Sequence, residues 1–350
     1  MKSIPRVILC VSGLVSISIL SLVTMPVDKE ANVVGWSYNT TRNTTNYIPV
    51  SGNWTASLAP ERGVCDRPGL LVMMVCSAPM NFEARQAIRD TWGAERKVQG
   101  HNMSVYFLVG ETNNVSMQND LQLESDQFGD IIQERFVDSY NNLTLKSIQM
   151  VKIATNHCLN TTSYLLKIDD DMFVNVPRLV SLILAVNKTR NLLMGKLICG
   201  ARPIKNPSSK WYSPTYMYED KTYPNYLSGT GYLMSLDVAQ KLFEASLSTP
   251  IFHLEDVYIT GICARKAKVK PFDNHMFTYR QLSKEPCEFR RLVTMHHFSP
   301  QDIRDTFRAL NDSNIERTCA GYKPKRNTQS WLYENVISRN RTVSRRSRCS

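Results

Sequence analysis

The chain has 350 residues, 43% of them hydrophobic and 9% aromatic, with 42 Lys and Arg against 31 Asp and Glu for a net charge of +11. That is enough apolar material for a large packed domain, which excludes wholesale disorder, and nine cysteines are too dilute for a small disulfide-stapled scaffold. The basic balance alone leaves nucleic acid, an anionic membrane and an acidic substrate open.

Val7 to Met25 is an uncharged run of 19 residues, preceded by Lys2 and Arg6 and followed by Asp28, Lys29 and Glu30. It is long enough to cross a bilayer as one tilted helix, and its flanks keep residues 1–6 cytoplasmic. No good small-x-small cleavage site ends it, so residues 7–25 read as an uncleaved signal anchor rather than a signal peptide. Everything beyond would face the secretory lumen, and ten Asn-x-Ser/Thr sequons between Asn39 and Asn340 agree with that. The lumen makes nucleic acid an unsuitable partner. Cys10 falls in the anchor, leaving eight cysteines for up to four bridges, although Cys76 in its apolar run is as readily a buried free thiol.

Residues 26–64 show weak periodicity and scattered Gly, Pro and Ser, and read as an extended lumenal stem. A domain over 65–325 follows, in which short apolar runs alternate with longer amphipathic ones. Strands are predicted at Leu70–Ser77, Val105–Val109, Ile131–Phe136 and Tyr164–Ile168. Helices are predicted at Phe82–Trp92, up to Phe128, at Leu143–Cys158, and from Pro177 in a first turn to Val186. Such alternation predicts an α/β domain with a largely parallel sheet. Residues 326–350 form a basic tail. No Gly-x-Gly-x-x-Gly or Walker loop follows the first strand, against a dehydrogenase or a P-loop nucleotidase.

The most informative stretch is Lys167-Ile168-Asp169-Asp170-Asp171-Met172, where an apolar strand ends in three carboxylates. Ligands gather at the carboxyl ends of strands in open α/β sheets, and three adjacent carboxylates repel one another unless a cation compensates them. A solvated acidic turn is the plainer reading. On the metal reading Asp171 is the direct ligand, Asp169 is free for a ribose hydroxyl or supports the metal from behind its direct ligand, and Asp170 is intermediate. Glu255-Asp256 precedes an apolar run read as a short buried helix; the pair is either a helix cap or a general base set by the helix start. His296-His297 follows a strand-like Leu292–Met295; such a pair is more often structural or exposed, but if the acidic cluster binds a metal, a nitrogen ligand there favours Mn²⁺ over Mg²⁺.

Several blocks in order over about residues 68–300 resemble the beta-1,3-galactosyltransferase family of Golgi glycosyltransferases. They include Arg85 to Gly93, Phe107 to Gly110, Phe136 to Lys146, the Asp triplet, Lys210-Trp211-Tyr212, Ser228 to Tyr232 and Glu255 to Tyr258. The resemblance implies a GT-A type, Rossmann-like mixed sheet flanked by helices behind one transmembrane helix. It implies an inverting enzyme with Mn²⁺, UDP-galactose as donor and a GlcNAc- or GalNAc-terminated glycoprotein or glycolipid as acceptor, and it leaves room for a homodimer. By carry-over His296 joins Asp171 at the metal and Asp256 is the base. Arg85, Arg89, Lys146, Asp169, Asp170, Trp211 and Gly229 then belong to the nucleotide-sugar pocket, although Arg85 and Arg89, i,i+4 on one helix face, are explained as readily by ion pairing alone. His297 falls where the family commonly has other residues. A UDP-GlcNAc transferase and a non-catalytic glycan-binding or chaperone relative are the rival readings.

Overall fold

A computed structural model of the chain describes residues 30–49, 55–280, 285–322 and Cys349. The expected anchor at 7–25, the cytoplasmic tail at 1–6 and all of the basic tail but Cys349 lie outside the described residues. No helix among those described is long and apolar enough to cross a membrane.

The domain is built on one mixed sheet. Strands β1 (Gly69–Cys76), β3 (His101–Glu111), β4 (Ile131–Val137) and β5 (Thr162–Asp169) run parallel in the order β4-β3-β1-β5. Beyond β5 the sheet turns antiparallel with β8 (Tyr226–Ser235) and then β7 (Leu193–Ile198), while β9 (Phe272–Asp273) closes the edge. The short β2 (Lys97–Val98) pairs with the start of β3. A separate two-stranded ladder joins β6 (Met172–Val174) to β10 (Thr294–His296).

Period-two alternation divides the strands between two apolar layers. Val72, Met74 and Leu165 pack with α3 (Leu143–Ile153) and α5 (Leu236–Ser246) on one face. Leu71, Met73, Val75 and Leu166 pack on the other with α1 (Phe82–Arg89), α2 (Val115–Phe128), α4 (Val176–Val186) and α6 (Pro300–Leu310). Burial on both faces is why these strands read as nearly continuous apolar runs. Helix α4 keeps the predicted Pro177 in its first turn, is capped by the Asn175 side chain on the Arg178 N–H at 3.1 Å, and ends at left-handed Asn187.

Within the segment read as an extended stem, residues 30–49 and 55–64 are docked on the domain. Trp36 and Ile48 are each 1% exposed and belong to the core beside α3 and α5. The Trp36 indole N–H donates to Asn141 O at 2.9 Å, and Thr44 Oγ1 donates to Ser246 O at 2.7 Å. The Arg42 guanidinium donates to the carbonyls of Tyr216, Met217 and Ile251. Further along, Leu58 bridges Gln133 at the sheet edge, and Cys65 is disulfide-bonded to Cys158. Irregular backbone gives no periodic signal, yet a few large side chains suffice to dock it. Trp36→Ala should therefore lower unfolding free energy by about 3–5 kcal/mol in urea titrations, as loss of a buried aromatic does. An unchanged midpoint would restore the stem reading.

Two more disulfides, Cys199–Cys349 and Cys287–Cys319, fasten the carboxyl-terminal third, and Cys199 thereby holds the end of the basic tail. Cys76 and Cys263 are buried free thiols, in line with the alternative left open for Cys76.

Candidate active site

The chain leaves β1 toward β3 on one side and returns through α3 to β5 on the other, so β1 and β5 flank the switch point of the parallel strands, where α/β sheets bind ligands. The Asp triplet occupies this place. Asp169 ends β5, Asp170 and Asp171 form the turn, and β6 begins at Met172. Asp170 is turned toward β1, where its Oδ2 accepts from Ser77 Oγ at 2.6 Å and Asn81 Nδ2 at 2.9 Å.

The β6–β10 ladder sets His296 opposite Met172 and so beside Asp171. His296 Nε2 lies 3.0 Å from Asp171 Oδ2. Its Nδ1 lies 3.3 Å from the Tyr279 carbonyl, which only accepts, so Nδ1 keeps its proton and Nε2, which donates to Asp171 here, is the nitrogen that would give up its proton to ligate. Although burial works to raise it, the His296 hydrogen bond and charge hold the Asp171 carboxyl below its ordinary value. Asp171, His296 and His297 each present one ligand atom, and the three atoms lie within 4.8 Å of one another. One carboxylate oxygen with imidazole nitrogen fits a borderline divalent ion such as Mn²⁺.

The second acidic pair lies on the wall of a cavity that His296 and His297 also line. Val257–Cys263 is a π-helical run, and Asp256 caps it, with Oδ1 accepting from Val257 N at 2.8 Å and Oδ2 from Gly229 N at 3.2 Å. The run is moored to β8 by Thr260, whose Oγ1 donates to Asp256 O and accepts from Leu227 N. Burial, then the adjacent Glu255 charge, push the Asp256 carboxyl from 3.8 to about 7, against the two backbone N–H groups and Lys167. Cap and base were alternatives in the sequence; here the carboxyl that caps is also the one whose proton affinity is raised.

Glu255 points inward, where Oε1 accepts from Tyr232 Oη at 2.5 Å and Ser147 Oγ at 2.8 Å. Lys167 links the two acidic groups. Its Nζ lies 2.5 Å from Asp169 Oδ1 and 3.8 Å from Glu255 Oε2, and it also donates to the Gly229 carbonyl. Burial pushes the Asp169 carboxyl to about 6, while Lys167 pulls the other way. Gly229 is required for this closeness, because a Cβ there would meet Glu255 Oε2 at 3.1 Å and Asp256 Cβ at 3.2 Å.

These groups line a cavity of about 620 Å³ with Asp169, Gly229, Asp256 and His296 on its wall. Trp211, 51% exposed, and Tyr140 stand at its mouth; Lys210 of the Lys210-Trp211-Tyr212 block is on the wall, as is Arg202, which carried no sequence signal. A larger cavity of about 820 Å³ lies at the other end of the sheet, between residues 57–69 and the end of α2, and contains none of the site residues.

Besides Asp170, three expected pocket residues lie off the cavity wall. Arg85 is fully buried and forks onto Glu124 at 2.6 and 2.8 Å, reaching the site only through Ser77 Oγ. Arg89 forks onto Asp130 and lies over the Phe107 and Phe128 rings. Lys146, also buried, is held by Asp138 at 2.8 Å and the Ser77 carbonyl. All three charges are committed to internal partners and none is on the cavity wall; Arg85 and Lys146 hold the end of β1 through Ser77. His253 is a wall residue without a sequence signal; burial lowers its imidazole to about 4, so it is neutral.

A family model described as Galactosyltransferase matches residues 83–275. Beta-1,3-galactosyltransferase 1 of Homo sapiens is 36% identical over 272 residues, covering 77% of this chain and 82% of that protein. Beta-1,3-galactosyltransferase 5 of Mus musculus is 37% identical over 263 residues, covering 74% and 84%. With the site described, these matches make the chain a glycosyltransferase that moves hexosyl groups. It belongs to the beta-1,3-galactosyltransferase family.

Proposed function

We propose that the chain is an inverting beta-1,3-galactosyltransferase that moves galactose from UDP-galactose to the 3-hydroxyl of a GlcNAc- or GalNAc-terminated glycoprotein or glycolipid. The observation that carries this reading is a single cavity whose wall brings Asp256, its carboxyl pushed up to about 7 by burial and Glu255, together with Asp169 and His296.

Asp256 takes the proton of the attacking hydroxyl, a task suited to a carboxylate whose proton affinity is matched to neutral pH. One in-line attack on an alpha-linked donor gives a beta linkage, and no nucleophilic carboxylate is needed. Asp171 and His296 would hold a divalent cation such as Mn²⁺, which supplies Lewis-acid stabilisation of the departing diphosphate. Arg202 and Lys210 on the wall add fixed positive charge where the leaving group becomes more negative. Asp169 is free on one oxygen to accept from a ribose hydroxyl. Trp211 and Tyr140 offer aromatic faces at the mouth for uracil or sugar rings.

A Golgi-lumenal setting, anchored by residues 7–25 as a type II membrane protein, accompanies this reading. It is supported by the three disulfides and by sequons that stand at the surface: Asn39, Asn43, Asn102, Asn114, Asn160, Asn187 and Asn311 are exposed. The test is UDP release by the purified lumenal portion with Mn²⁺, a GlcNAc acceptor, and UDP-galactose or UDP-GlcNAc in parallel. The expected product is a beta-1,3-linked galactoside by linkage analysis. Turnover with UDP-GlcNAc alone would reassign the donor, and donor binding without any turnover would make the chain a non-catalytic relative.

A further inference from the structure

We propose that His297 is a third protein ligand of the divalent cation, so that the site consists of one carboxylate and two imidazoles. The proposal rests on the metal reading above and adds a residue that the family resemblance did not supply.

Strand β10 ends at His296. Continued as a strand, the chain would send the next side chain to the opposite face, because successive side chains alternate. The backbone instead turns left-handed at His297, with φ +68°, a conformation that its Cβ disfavours. The turn folds the second imidazole back beside the first, with ring centroids 3.8 Å apart and planes tilted by 39°. The following residue locks the turn onto the acidic loop, Phe298 N donating to the Asp171 carbonyl at 3.0 Å.

Among the described residues no hydrogen bond or ion pair holds the His297 ring, so its nitrogens are not committed elsewhere. The ring does, however, bring a nitrogen within 4.8 Å of both the Asp171 and His296 ligand atoms, and it lies on the cavity wall. A backbone outlier at such a place is the kind that function maintains. Two nitrogen donors shift the preference toward Mn²⁺, Co²⁺ and Zn²⁺ and away from Mg²⁺, whose shell is oxygen.

The experiment is a Mn²⁺ titration of the metal-free lumenal portion, followed by electron paramagnetic resonance with and without UDP. Nitrogen couplings in the echo-modulation spectrum count the bound imidazoles. The wild type should show two and His297→Ala one, with Mn²⁺ affinity falling about tenfold or more. Mg²⁺ affinity should stay level, so the Mn²⁺ preference shrinks. His297→Gly, which suits the left-handed backbone, should lose the same nitrogen while melting no lower than the wild type. One imidazole in the wild type, or unchanged Mn²⁺ affinity in both variants, overturns the proposal while Asp171→Ala still abolishes binding. No Mn²⁺ binding by the wild type would sink the metal reading itself and this proposal with it.

Discussion

Asp256→Asn is expected to lower kcat/KM by about 10²–10⁴-fold, the usual worth of a positioned general base. The amide keeps the shape of the side chain and can still accept from Val257 N, so the cavity and the donor contacts remain in place. Donor binding, measured by titration with UDP, should therefore change little while turnover collapses. In the wild type kcat/KM should climb with pH through about 7 and then level, because the carboxylate form does the work and burial with Glu255 sets its proton affinity there. An unchanged kcat in the Asn variant, or a flat pH profile in the wild type, would remove Asp256 from the base role.

The same residue carries a stability signature of opposite sign. A carboxyl raised from 3.8 unfolded to about 7 folded is still protonated in the native state after the unfolded chain has lost its proton. Native stability consequently falls as pH rises between about 4 and 7. Asn resembles the protonated form at every pH. The variant should melt above the wild type at pH 8, and the difference should close near pH 4.

How far the sequence reveals this site depends on whether a residue's task leaves a local pattern. Strands β1, β3, β4 and β5 are legible because both their faces are buried and the runs are nearly all apolar, and α4 announces itself through Pro177. The Asp triplet is legible because carboxylates stand directly between two apolar runs. The antiparallel half of the sheet is not, since β7 and β8 are joined by a long irregular stretch and nothing local fixes their direction. The docking of residues 30–49 depends on single side chains such as Trp36 and Arg42 meeting segments more than a hundred residues away. Arg85 and Arg89 are legible only as far as a choice between pocket and ion pair. Their spacing puts both on one helix face, but whether that face looks into the cavity or onto Glu124 and Asp130 is a tertiary matter. Lys167 was legible and passed over: in a strand it shares a face with Asp169 two residues on, and a lysine inside an apolar strand requires a counter-charge.

That lysine supports the second large effect. Lys167→Met should destabilise the protein by about 3–5 kcal/mol, as removal of one member of a buried ionic group does, and lower Tm on the order of 10 °C. Burial works to lower the Lys167 pKa, yet Asp169 and Glu255 together raise it above its ordinary value, so the ammonium is charged in the native state. Without it two carboxylates remain in a poorly solvated place with no cation between them. Adding Glu255→Gln should recover part of the loss, and the double-mutant cycle measures the coupling. Lys167→Arg is not a neutral control, since a planar fork does not replace a point charge shared among Asp169, Glu255 and the Gly229 carbonyl. The kinetic consequence follows from the same geometry. Lys167 is one of the groups holding the Asp256 proton affinity down, so in Lys167→Met the acid limb of kcat/KM should move to higher pH. A melting temperature and pH profile both equal to the wild type would mean that Lys167 is not what joins the donor side of the cavity to the base.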